Sequence, residues 1–221
     1  MKVEYLPFTI GRVRTPEELA QCTRLRKDRY GRHLPQFALK LAFPEPEDSR
    51  NSSFVFLATS KADGSPVATS RLQTNIQAPL PLEHAILLPE YLRASRVAEA
   101  TRFVVSGGTQ ARTVRTAVLK QLYLACVSLQ VDWIVIGARP PLEKLYLGLM
   151  FQDVFPGASL VPLPYADNIP HRILALRIPE LERRWRMANH PLYDFFFHTF
   201  HPDLEQFEIP GCNAQQQIMQ G

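Results

Sequence analysis

The residues in this sequence best equipped for chemistry are arginines and a few histidines, and they are unevenly placed. Between Thr101 and Lys144 stand Arg102, Arg112, Arg115, Lys120, Arg139 and Lys144 against only Asp132 and Glu143. Such a run is either a solvated basic face or a landing surface for an acidic partner. Arg26 is placed differently: spacings of three and four put it on one helical face with Leu19, Cys22 and Tyr30. An arginine in line with an apolar stripe either snorkels to the rim or points into a cleft. His198 and His201, near His190 and Asp194, form a His-x-x-His spacing with no third clear ligand, so no metal centre is expected. Cys22, Cys126 and Cys212 are far apart and in no CxxC pair, which indicates neither a disulfide framework nor a zinc ribbon. No Cys or Ser lies in a nucleophile motif, so a covalent enzyme intermediate is not expected.

Those side chains must be held by a chain of 221 residues, 46% hydrophobic and 21% charged, with 19 prolines and 10 glycines. That composition suits one large or two small globular domains, with a core that needs no disulfide or metal staple. The longest apolar runs, such as Ile86-Leu87-Leu88 and Trp133 to Ala138, are far too short to span a bilayer. The N-terminus offers no long apolar stretch to serve as a signal peptide, so a cytoplasmic location without an integral membrane segment is expected. The net charge of +4 comes without aromatic–basic interleaving or a reader motif, so nucleic acid is not an expected partner.

The positioning elements follow from pattern. Phe8 to Arg14 reads as a strand, and Thr15-Pro16-Glu17-Glu18 as a capping box opening a helix to about Arg32. Residues 33 to 52, rich in proline and charge, read as an irregular, partly helical connection. Phe54 to Ala58 and Pro66 to Leu72 flank Lys61-Ala62-Asp63-Gly64 as a β-hairpin. A long proline-bearing connection leads to a strand from Val97 to Val105, then Ser106-Gly107-Gly108 and a helix from about Ala111 to Gln130. Asp132 to Gly137 has the uninterrupted apolar pattern of a buried central strand. Pro140 and Pro141 open a shorter helix, His171 to Ile178 is a last strand, and Pro179 to Phe200 is helical with a break at Pro191.

In that order the elements resemble the GNAT fold of N-acyltransferases: α/β, with a central mixed, mostly antiparallel twisted sheet flanked by helices, and a C-terminal helical extension. A single domain is expected over 1–221, its core about 8–178 and the extension about 179–210. Three short matches narrow the resemblance over roughly residues 15 to 155. Arg26-Lys27-Asp28-Arg29-Tyr30 is similar to the R-x-x-(V/R)-(F/Y) helix motif of acyl-homoserine lactone synthases. Ala68-Thr69-Ser70-Arg71-Leu72 resembles their G-x-x-R-L strand, and Ala98-Glu99-Ala100-Thr101-Arg102-Phe103-Val104-Val105 is similar to W-E-x-S-R-F-x-V. The FeeM-like N-acyl amino acid synthases share this core.

The resemblance implies a site. In GNAT enzymes the strand before the long helix splays from the next strand, an acyl thioester threads the gap, and its phosphates sit on N–H groups at the helix N-terminus. Ser106 to Arg115 occupies that place without the usual Q/R-x-x-G-x-G/A motif. Phe103, Val104, Val105, Gly107, Gly108, Arg112, Arg115 and Lys120 are then the expected thioester or carrier contacts. An amine must lose a proton as it attacks, and Glu99 on the gap-lining strand is the implied general base, directly or through water. Its other reading is a buried ion pair with Arg71 or Arg102. Arg71 joins the catalytic set, and Arg26, Tyr30, Thr101 and Arg102 the acceptor site, where converging arginines suit a substrate carboxylate. Tyr146 falls where many GNAT enzymes place the tyrosine that protonates the leaving thiolate, although Met150 stands where glycine is usual; packing is its other reading.

Departures separate the subfamilies. Lactone synthases carry a tryptophan after the first helix, used with S-adenosylmethionine, and then paired aspartates. Here the tryptophans are Trp133 and Trp185, and the corresponding region offers Glu45, Glu47 and Asp48 without a matching spacing. Asn189 to Phe196 is more similar to the N-acyl amino acid synthases. The expected function is transfer of a long-chain fatty acyl group to the α-amine of an amino acid. The expected donor is acyl carrier protein, as a phosphopantetheine thioester, or acyl-CoA, with no tightly bound cofactor. The alternatives are an acyl-homoserine lactone synthase and a catalytically silent acyl- or carrier-binding module. Arg112, Arg115, Lys120, Arg139 and Lys144 would form the rim on which an acidic carrier lands. Phe195-Phe196-Phe197 and Phe200 are either helix core or the wall of an acyl tunnel.

Overall fold

The computed structural model describes residues 2–207; Cys212 and the rest of the 208–221 tail, including the end of the expected extension, lie outside them. The first strands are β1 (Lys2–Val3) and β2 (Phe8–Arg12). Helix α1 (Pro16–Gly31) opens on the expected box: Glu18 N–H donates to Thr15 Oγ1 and Thr15 N–H to the Glu18 carboxylate, both at 3.2 Å. After α2 (Pro35–Lys40) and a 3₁₀ turn at Pro46–Ser49 comes the hairpin of β3 (Ser53–Ser60) and β4 (Pro66–Thr74). In its turn only Gly64 takes a positive φ, +71°. Two short helices, α3 (Pro81–Ala85) and α4 (Glu90–Arg93), lead into β5 (Val97–Val105). Helix α5 (Ala111–Ser128) and strand β6 (Trp133–Ala138) follow. The chain then forms α6 (Glu143–Gly148), β7 (Gln152–Asp153), β8 (Val161–Leu163), β9 (Ile169–Arg177), α7 (Leu181–Met187) and β10 (Thr199–Phe200).

The main sheet runs β2-β3-β4-β5-β6-β9-β7, with β8 added on β9. Every pair is antiparallel except β5 with β6, which is parallel and brief: Val97, Ala98 and Glu99 face Trp133, Ile134 and Val135, and there the ladder stops. Strand alternation sorts the two faces. Ala98, Leu72, Phe56 and Ala68 pack with Val114, Val118 and Leu122 of α5. Val97 and Val135 pack on the other face with Phe37, Leu82 and Leu92. Among the described residues no helix is long and apolar enough to cross a membrane.

Over its described residues the C-terminal extension is helical with a break at Pro191, as expected: α7 is followed by a π-helical turn at Asp194–His198. Thr199 and Phe200 instead form β10, which pairs in parallel with β1. Lys120 anchors this segment. It was expected on the basic rim, but its side chain is buried, at 3% exposure. Its ammonium donates to the carbonyl oxygens of Phe195 (2.8 Å) and Thr199 (2.5 Å) and lies 2.9 Å from His201 Nδ1. An ammonium with three acceptors is satisfied without water. The histidines weighed as metal ligands scatter: His198 meets Asp194 at the surface, and His190 stacks on Trp185.

Burial, with the Lys120 charge adding to it, pushes His201 down to about 4. Glu4 and Asp203 oppose that shift, and Lys2 adds to it. Between the ordinary histidine value of about 6.5 and pH 4, the unfolded chain takes up a proton that the folded chain refuses, so stability falls with pH over that window. His201→Gln removes this component. Its melting-temperature deficit against wild type should therefore narrow as pH drops from neutrality through that window, as read by circular dichroism. A constant deficit would contradict the assignment.

Candidate active site

The local geometry of β5 decides where its side chains point. Thr69 pairs with Val104 and Arg71 with Thr101, so β5 carries one residue more than β4 across this stretch. The extra residue is absorbed at Arg102, whose φ is +54°. A bulge re-aims side chains. Without it Arg102 would share the α5 face with Ala100; with it Thr101 and Arg102 both turn to the opposite, polar face.

On that face Arg26, Arg71 and Arg102 converge, as the motifs implied. Arg26 is fully buried and points inward, which resolves its two readings. What sequence reasoning missed is the acidic half of the cluster. Asp48 accepts from Arg26 at 2.8 Å and from Arg71 at 3.1 Å. Glu45 takes Arg102 Nε and Nη2, both at 2.6 Å, and Arg71 at 3.1 Å. These two acids, set aside on their spacing, are brought to one point by the 3₁₀ turn at Pro46–Ser49. Burial works against their ionisation, but the arginines outweigh it and hold both carboxyls below the usual range. Thr101 Oγ1 accepts from Arg71 Nε at 3.1 Å, and Arg102 also stacks over Phe37 at 5.1 Å. Tyr30 packs edge-on against Phe37. Among the described residues, Arg26 Nε and Nη2 are buried and keep no partner.

Glu99 has 0% exposure and makes no ion pair with Arg71 or Arg102, whose guanidinium groups go to Glu45 and Asp48. Its carboxylate accepts instead from the Tyr165 hydroxyl at 2.5 Å and from Leu82 N–H at 3.1 Å. Burial pushes its pKa up; the Tyr165 and Leu82 bonds and the charges of Arg71 and Arg102 oppose the rise without cancelling it. Tyr165, whose own carbonyl accepts from Arg102 at 2.7 Å, carried no sequence signal, since it lies 66 residues from Glu99 and reaches it only through the loop after β8.

The opposite face is apolar. Ala100, Phe103, Ile136 and Tyr146 line a slot beneath α5 together with Trp185 and Phe196. The aromatic run therefore serves partly as slot wall. Tyr146 packs edge-on against Phe151, and burial raises its pKa. Val104 and Val105 pair with β4 and present their other edge to the gap. Gly107 lies near Arg29, Gly108 takes a φ of +116°, and no side chain caps the N-terminus of α5. Arg112, Arg115 and Lys144 are exposed, and Arg139 is half-buried.

The charge cluster yields a stability prediction. Asp48→Asn takes away the nearer counter-charge of buried Arg26 and leaves only Glu45, at 3.9 Å, a loss of about 3–5 kcal/mol for a broken buried pair. Chemical denaturation should show that loss, whereas an exposed control, Lys2→Gln, should stay within about 0.5 kcal/mol of wild type.

Solved structures share this architecture. FeeM, an N-acyl amino acid synthase from uncultured soil microbes, is similar at a TM-score of 0.62 and 17% identity, covering 85% of this chain and 96% of that one. A CoA-dependent acyl-homoserine lactone synthase, BjaI, solved with SAM and isopentyl-CoA, is similar at 0.58 and 11% identity, covering 91% and 95%. Aminoglycoside 6'-acetyltransferase type Ii is similar at 0.53 and 14% identity, covering 76% and 96%. At such identities the likeness is one of fold, the GNAT fold. No curated protein matches in sequence. The family model described as N-acyl amino acid synthase FeeM matches residues 21–166, well over half of the chain and the span that holds Arg26, Glu45, Asp48, Arg71, Glu99, Arg102 and Tyr165. The chain belongs to the FeeM N-acyl amino acid synthase family and is an acyltransferase on the GNAT fold.

Proposed function

We propose that this acyltransferase moves a long-chain fatty acyl group from the phosphopantetheine thioester of an acyl carrier protein to the α-amine of an amino acid. The observation that carries the reading is the gap beyond Glu99 and Val135, with a charged cluster on one face of the sheet and an apolar slot on the other. A thioester carbonyl seated in the gap would meet the amine from the polar side and send its chain into the slot.

In the step, the amine nitrogen bonds to the carbonyl carbon, the carbon–sulfur bond breaks, and the thiol leaves with a proton. Glu99, with its raised pKa, suits the base that takes the amine's proton directly or through one water. Tyr165 orients that carboxylate and favours its ionised form. Three guanidinium groups against the carboxylates of Glu45 and Asp48 leave one surplus positive charge, and among the described residues two Arg26 nitrogens, Nε and Nη2, keep no partner. Both suit an amino acid's carboxylate. Tyr146 in the slot mouth would return a proton to the leaving thiolate. The uncapped α5 N-terminus beside Gly108 suits the pantetheine phosphate. Arg112, Arg115, Arg139 and Lys144 remain as the landing rim for an acidic carrier once Lys120 is removed from it.

Incubation with palmitoyl-carrier protein and mixed amino acids, followed by mass spectrometry, should give an N-acyl amino acid. A homoserine lactone formed only with added S-adenosylmethionine would replace this reading. Glu99→Gln should cut kcat by about 10²–10⁴-fold. Tyr165→Phe removes a bond that lowers the Glu99 pKa, so the acid limb of its pH–rate profile should move to higher pH. An unmoved limb would sink the assignment of the base. Reversal of Arg112 and Arg115 to Glu should raise KM for the carrier-bound donor at low salt but not for acyl-pantetheine, with the difference fading as salt screens it.

A further inference from the structure

Beyond the reacting atoms, the C-terminal segment carries a device for which the transfer chemistry gives no reason. The slot is lined by Ala100 and Ile136, the first residues of β5 and β6 past their last pair, and by Trp185 and Phe196 of the C-terminal segment. Its cavity of about 30 Å³ holds about one water-sized group, so an acyl chain of many methylenes enters only as the wall formed by that segment gives way. That wall is aromatic: Phe196 lies edge-on to Trp185 at 4.7 Å and 6.1 Å from Tyr123.

Phe196 stands in the π-helical turn Asp194–His198. Such turns are rare and frequent at functional sites. The turn is fastened from outside. Lys120 sits on α5 between Leu119 and Leu122, both slot residues, and its ammonium binds acceptors on either side of Phe196: the carbonyls of Phe195 and Thr199, and beyond them His201. The other ring nitrogen of His201, Nε2, is buried without a partner among the described residues.

We propose that Phe196 is the stop that sets which acyl chain lengths the slot accepts, and that Lys120 is the positioning residue that holds the stop in place. The proposal rests on the acyl-thioester reading above. Hydrophobic pockets discriminate by about 10–200-fold per methylene, so removal of one aromatic ring from that wall moves the preference toward longer chains.

The chain has two tryptophans, and Trp133→Phe leaves Trp185, on the slot lining, as the only tryptophan, read by selective excitation above the tyrosine band. In that background, octanoyl-, lauroyl- and palmitoyl-pantetheine are titrated against Trp185 emission. Phe196→Ala should raise the affinity for palmitoyl relative to lauroyl by about tenfold or more, with KM for the amino acid unchanged. Lys120→Met, which keeps the stem and deletes the three polar contacts, should move the same ratio in the same direction, and Lys120→Arg should restore part of it. A purely structural lysine would lower affinity for all three chains alike. If Lys120→Met does not fold, Phe196→Ala and the milder Phe196→Leu carry the test. An unchanged palmitoyl-to-lauroyl ratio in folded Phe196→Ala overturns the proposal, as does the absence of any Trp185 response to acyl chains in the parent. Saturable binding with the expected ratio but no transfer to any amino acid would overturn the proposed function and leave the stop standing.

Discussion

Strands β5 and β6 run parallel for three residue pairs and then part, while each stays bound along its other edge, β5 to β4 and β6 to β9 through Ala138. The gap between them is thus framed by two continuous ladders and does not depend on a mobile loop. Period-two alternation along β5 then sends Glu99 and Thr101 to one face and Ala100 to the other. The bulge at Arg102 adds a second charged group to the polar face and returns Phe103 to the apolar one. The charged cluster and the apolar slot are separated by the thickness of one strand.

The charged half of this arrangement is costly to build. Arg26, Arg71 and Asp48 are essentially removed from water, and desolvation of that kind often outweighs the attraction between the partners. Apolar residues of the same size would hold the elements together as well or better. What a charged cluster adds is register: α1, β4 and β5 each contribute one arginine, the 3₁₀ turn delivers both carboxylates, and only one relative placement pairs all of them. Glu99 is spared from that pairing. Its partners are a phenol and a backbone N–H, which orient it while leaving burial to raise its pKa.

Much of the fold was legible because its signals are local. The capping box at Thr15 and Glu18, the Gly64 turn, the apolar stripe of α5 and the unbroken apolar run of β6 each act within a few residues. The motifs around Arg26, Arg71, Glu99 and Arg102 were legible for a related reason: each is a short run on one element. Glu45 and Asp48 were visible as acids but not as partners, since their role depends on where a short turn delivers them. Tyr165 had no local signature. Lys120 was misread, because a lysine in a basic run on an amphipathic helix looks solvent-facing until the segment that covers it is in place.

The amino-acid sequence alone determined the order of the elements, the alternation that gives the sheet two faces, and the residue types needed for acyl transfer, because periodicity, capping and turn chemistry are properties of neighbouring residues. Tertiary structure alone decided which acids neutralise which arginines, that Glu99 answers to Tyr165, and that Lys120 fastens the aromatic wall of the slot. Those outcomes turn on contacts between groups 22 to 81 residues apart. Their strength comes from burial, and burial exists only after the chain has closed around them.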